Sequence, residues 1–100
     1  MKPRSRSEVE SALQRKGFVV SQSDHRKFVY RTIEGKKTGV WTKTSHGSSH
    51  REISSVNLGK MARQCRLSAG EFKKLIDCPL EREGYEAILY PQITQIGADL

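Results

Sequence analysis

The sequence predicts an α+β fold in the order α-β-β-β-α: a three-stranded antiparallel sheet with its helices packed on one face, followed by one or two extra C-terminal helices. Three observations carry this prediction. An apolar stripe at helical spacing follows a capping signal near residue 7, β-branched and aromatic residues recur between 18 and 44 around a glycine turn, and helical stripes resume after residue 54. With 100 residues, 35% of them apolar and 7% aromatic, the chain can furnish one modest core and not two.

Ser7-Glu8-Val9-Glu10 has the form of a capping box, and Val9, Ala12 and Leu13 follow at i, i+3 and i+4. Helix 1 is therefore expected over about Glu8 to Lys16, with Gly17 ending it in the left-handed conformation. Phe18-Val19-Val20 reads as a short strand and Lys27 to Ile33 as a longer one, with Phe28, Tyr30 and Thr32 on one face. Glu34 to Lys37 supplies a turn containing a glycine, and Thr38 to Thr44 forms the return strand carrying Val40 and Trp41. Phe28, Tyr30 and Trp41 are assigned to the core, although outward-facing rings would serve to stack on bases.

Ser45 to Arg51 contains no apolar residue and is expected to be a loop. Leu58, Met61, Ala62 and Cys65 then mark a helix capped by Ser54 or Ser55, with Lys60 and Arg63 on its other side. Ser68-Ala69-Gly70-Glu71 is a second capping box ahead of Phe72, Leu75 and Ile76. Pro79 precedes a final helix over Glu81 to Leu89, with Tyr85, Ile88 and Leu89 inward, and 91–100 reads as a loosely held tail. One domain is expected, with a central unit over 7–68, a helical extension over 69–90 and the tail.

The net charge is +7 and the pI about 9.7, with the charge unevenly spread. Residues 1–66 hold 15 Lys and Arg against 5 Asp and Glu, whereas 67–100 hold 3 against 6. Such a basic region attracts polyanions by counterion release, and nucleic acid is the commonest of these in the cytoplasm. Charge alone does not distinguish RNA from DNA, and a solvated basic surface without a ligand is the alternative; Arg26, Lys27, Lys36, Lys37, Lys43, Arg51, Lys60 and Arg63 are the candidate RNA contacts. No long apolar run is present, and the basic N-terminus leads into Glu8 and Glu10 rather than a signal core, so a cytoplasmic protein without a membrane partner is expected.

His25, flanked by Asp24, Arg26 and Lys27, is the candidate general acid or base, because an imidazole in a phosphate-attracting field can act on a ribose 2′-hydroxyl without a metal. His46, in Thr42-Lys43-Thr44-Ser45-His46-Gly47, is a second candidate imidazole. The alternatives are an exposed turn histidine and a polar loop. His46 and His50 have a spacing found in zinc sites, but Cys65 and Cys78 fall in apolar patterns as reduced core thiols, so neither metal nor cofactor is expected. Gly35-Lys36-Lys37-Thr38 lacks the upstream glycine of a P-loop, position 30 being Tyr, and is explained by the hairpin turn.

Helix 1 running into Lys16-Gly17-Phe18-Val19-Val20, then Ser23-Asp24-His25-Arg26 opening a strand, then a glycine turn and a basic strand, resembles the HicA family of toxin ribonucleases. The resemblance spans about Ser7 to Ser68 and includes Arg66-Leu67-Ser68, similar to the ending of the family's second helix. It implies a fold like a double-stranded-RNA-binding domain, mRNA cleavage associated with the residue matching His25, and an antitoxin protein as partner. A monomer or weak dimer is expected. Two other readings stand beside a HicA-like endoribonuclease: a non-catalytic RNA-binding module and an interaction domain for an acidic partner.

Overall fold

Ser5, and not Ser7, opens the first helix in the computed structural model, which describes residues 2–22, 26–44, 51–77 and 79–96. The elements follow as β1 (Arg4–Ser5), α1 (Arg6–Arg15), β2 (Phe18–Gln22), β3 (Arg26–Arg31), β4 (Lys37–Thr44), β5 (Glu52–Ile53), α2 (Ser55–Gln64), α3 (Ala69–Asp77) and α4 (Arg82–Ile96). The Ser5 hydroxyl accepts the Glu8 amide at 3.5 Å. The cap moves back two residues because Arg4 and Ser5 pair antiparallel with Ile53 and Glu52, so the chain leaves a strand directly into the helix. Glu10, expected to close the capping box, is instead buried: its carboxylate accepts from Arg26 Nη1 at 2.6 Å and from the Thr44 hydroxyl at 2.6 Å, tying α1 to the sheet.

The expected antiparallel sheet is present, in the order β2-β3-β4. Phe18 pairs with Tyr30, Val20 with Phe28, and Phe28 in turn with Thr42. Strict alternation along β4 buries Thr38, Val40, Thr42 and Thr44 and exposes the residues between them. Between Val29 and Arg31 the β3–β4 register shifts, and the Thr38 hydroxyl stitches the irregularity by donating to the Tyr30 carbonyl at 2.7 Å. Gly17 has φ +102°, the left-handed stop expected at the end of α1.

One contiguous core forms between the sheet and the helices. α1 contributes Val9, Ala12 and Leu13, and α2 contributes Leu58, Met61 and Ala62. Ser54 caps α2, and the reciprocal Ser68–Glu71 box opens α3 as expected, with bonds of 2.8 and 3.1 Å. Phe72, Leu75 and Ile76 of α3 and Tyr85 and Leu89 of α4 enter the same core. Tyr85 stacks on Phe18 at 5.7 Å and meets Tyr30 edge-on at 5.0 Å.

Polar anchors fix α4 further. The Glu86 carboxylate accepts from the Tyr30 hydroxyl at 2.5 Å and the Ile33 amide at 2.9 Å, while Arg82 Nη2 donates to the Arg31 and Thr32 carbonyls at 3.0 Å. Lys16, almost wholly buried, donates to the Leu80 carbonyl at 2.7 Å. The final helix does not stop near Leu89: it continues through Pro91 to Ile96, so 91–96 is not a tail. Proline inside a helix loses its own amide bond and crowds the carbonyl four residues back, and the buried Tyr85 and Leu89 hold the preceding turns in place against that cost.

Candidate nucleic-acid interface

The same alternation that fills the core leaves the opposite sheet face bare. Ser21, Lys27, Lys37, Gly39, Trp41 and Lys43 are exposed there, Val19 is 46% exposed, and Val29 and Arg31 are half-buried. Trp41 therefore corrects the core assignment: it is 37% exposed, because its place in β4 is out of phase with Val40 and Thr42, whereas Phe28 and Tyr30 are buried as expected. Lys27 Nζ lies 4.6 Å from the centre of the Trp41 ring.

Registry brings like charges together on this face. Lys27 pairs directly with Lys43, and Arg31 with Lys37, so two cation pairs bracket the apolar Val29–Trp41 pair. Like charges directly opposite on neighbouring strands are destabilising by roughly 0.2–1 kcal/mol each. A bound polyanion would neutralise both pairs.

At the edge strand β4, the face continues into a groove of about 410 Å³ lined by Gly39, Trp41, Lys60, Arg63, Gln64 and Arg66. Lys60 and Arg63 share one side of α2 at i, i+3 spacing. The Thr42 hydroxyl donates to Gln64 Oε1 at 2.6 Å and fixes the Gln64 side chain, which lines the groove. α2 ends in a Schellman turn, with the Leu67 amide donating to the Ala62 carbonyl at 2.9 Å and Arg66 at φ +65°.

Of the residues predicted from sequence, Lys27, Lys37 and Lys43 share the open face, and Lys60 and Arg63 line the adjoining groove. Arg26 points to the other side and is bonded to Glu10. Lys36 sits in the β3–β4 turn 3.8 Å from Glu34. Arg51 is exposed ahead of β5, and its carbonyl accepts the Arg6 amide at 2.8 Å. His25 and His46 lie outside the described residues, as do His50 and Cys78; the described residues that flank the first two are neighbours, since Arg26 pairs with both Gln22 and Thr44.

Arg31 and Trp41 were not placed on this face by the sequence, Trp41 having been weighed for base stacking and assigned to the core, and Arg66 was not singled out as a contact. Strand alternation counted from Phe28 and Val40 is the signal that would have found the first two; Arg66 needed the turn geometry. Cys65 is a free, buried thiol, and burial pushes its pKa up to about 12, far from the reactive range. Among the described residues, no three His, Cys, Asp or Glu side chains gather as a metal site, and no helix is long and apolar enough to cross a membrane. Compared with protein-family models, curated proteins and solved structures, the chain has no match.

Proposed function

We propose that this protein binds RNA on its open sheet face and, in the manner of the HicA-type ribonucleases it resembles, cleaves it without a metal, using His25 as general acid or base. The observation that carries the binding half is the double cation pairing, Lys27 with Lys43 and Arg31 with Lys37, around an exposed tryptophan. This arrangement costs folding energy and suits a phosphate backbone laid across the strands. Cleavage rests on the sequence resemblance together with His25 standing next to Arg26 in a cationic stretch. His46 is the second acid-base candidate in this reading, and an acidic antitoxin would compete for the same face.

A labelled, unstructured RNA incubated in EDTA at low salt with wild-type and His25→Ala protein tests it. Cleavage by the wild type alone is expected. RNA left intact by both at every pH from 5 to 9 removes the nuclease. RNA that is bound but left uncut would then select a second reading, a non-catalytic RNA-binding module, whose contacts are the cations, amide and indole among the described groove residues.

A further inference from the structure

The groove beside β4 sets cations and the Trp41 side chain in a concave surface, which the flat sheet face is not. Lys60, Arg63 and Arg66 of α2 and its C-terminal turn line it together with Trp41, and among the described residues no acidic side chain does. Its volume of about 410 Å³ falls in the range of small-ligand sites. Gly39 lines the groove without a side chain, and a Cβ built there would meet nothing within 4 Å.

Arg66 adds a second, independent sign. It occupies the left-handed position of the Schellman turn, which glycine normally fills because a side chain there is disfavoured. An arginine at a position of local strain, with its side chain lining a cationic groove, is a stability cost that a ligand contact would explain.

We propose that this groove is a subsite for one unpaired nucleotide, whose base stacks on Trp41 while its phosphate is held by Lys60, Arg63 and Arg66. The proposal rests on the RNA-binding reading and deepens it, because it selects single-stranded over duplex RNA. In an A-form helix the base faces are already stacked on their neighbours and only an unpaired base offers one to an indole. Stacking is tolerant of base identity, so the subsite confers strand selectivity rather than sequence choice.

Trp41 is the only tryptophan in the chain, so its fluorescence reports the groove together with the part of the sheet face that meets it, and Gly39→Glu isolates the groove. Titration of the full-length protein with a short unstructured RNA, and with the duplex formed from it and its complement, is read by Trp41 emission and, in parallel, by anisotropy of the labelled RNA. Single strands are expected to quench Trp41 and to bind more tightly than the duplex. Trp41→Ala is expected to weaken single-strand binding by about 5- to 150-fold, the range of one base stack. Gly39→Glu, which places a carboxylate in the groove, is expected to weaken it at least about 10-fold without lowering Tm.

Arg66→Gly tests the phosphate contact. It is expected to lower affinity about 5-fold at 0.1 M salt, the loss of one single-strand phosphate contact. RNA binding by anisotropy with unchanged Trp41 emission, equal affinity for duplex, or wild-type affinity in Gly39→Glu would overturn the subsite and leave the RNA reading standing. Absence of any RNA binding at low salt would overturn both.

Discussion

Replacing Lys27 and Lys43 together by glutamine tests whether the open face is built for a polyanion or for stability. The two lysines are direct cross-strand partners, so their mutual repulsion costs the folded state roughly 0.2–1 kcal/mol. Lys27 recovers about 0.5–1 kcal/mol from its position over Trp41. These effects largely offset one another, and the double variant is expected to keep its stability within about 1 kcal/mol. RNA affinity behaves differently. Each phosphate contact to a single strand contributes about 0.7 to the slope of log K against log salt, which at 0.1 M amounts to roughly 5-fold in affinity. Loss of both contacts should flatten the slope by about 1.4 and weaken binding about 25-fold at 0.1 M salt. Anisotropy titrations of a labelled RNA at four or five salt concentrations, with urea denaturation alongside, measure both quantities. An unchanged slope and affinity in a folded variant would refute the reasoning and leave the cation pairs unexplained.

Gly17→Ala is expected to cost about 2–4 kcal/mol in urea denaturation, because φ is +102° and the new Cβ would stand 2.6 Å from Nε of Arg82, a guanidinium already bonded to two carbonyls. Gly35→Ala, at φ +89° with nothing within 4 Å, should cost only about 1–2 kcal/mol. A chain ending at Ser68 should show no cooperative unfolding transition by circular dichroism. It lacks Phe72, Leu75, Ile76, Tyr85 and Leu89, five buried side chains worth roughly 1.5–3 kcal/mol each against a total stability of about 5–15 kcal/mol. Stability should also fall steeply in alkali. Burial raises the folded-state pKa of Cys65 and Tyr85 above their ordinary 9.0 and 10.0, so above those values the unfolded chain gives up protons that the folded chain keeps. The stabilisation is complete below about pH 9 and is lost at about 3 kcal/mol per pH unit once both groups ionise in the unfolded state, above about pH 10. A Tm that stays flat from pH 9 to 11 would contradict the buried placement of these two groups.

The cationic face shows where sequence reading succeeded and where it failed. Lys27, Lys37, Lys43, Lys60 and Arg63 were identifiable by charge and lie together, but Arg26 was chosen by the same criterion and turns inward to Glu10. Its partner is 16 positions away on α1, and no local pattern encodes that pairing. Trp41 was misplaced because an aromatic residue in a small chain is usually core; strand phase, a local property, would have corrected it. The Ser5 cap was hidden for the opposite reason. Ser5-x-x-Glu8 and Ser7-x-x-Glu10 have the same spacing, and the choice between them was made by the β1–β5 pairing across nearly fifty residues.

By itself the sequence determined the α-β-β-β-α order with its extra helices, the left-handed stop at Gly17, the Ser68 capping box and the identity of most core side chains, since each follows from periodicity and backbone sterics within a few residues. Tertiary structure alone decided that α4 runs on past Pro91, that Lys27 meets Lys43 and Arg31 meets Lys37, and that α2 lies beside β4 to form a cationic groove around Trp41. Those outcomes depend on register and on contacts between residues distant in the chain. Their energies are set by long-range packing and charge, which no short window of sequence contains.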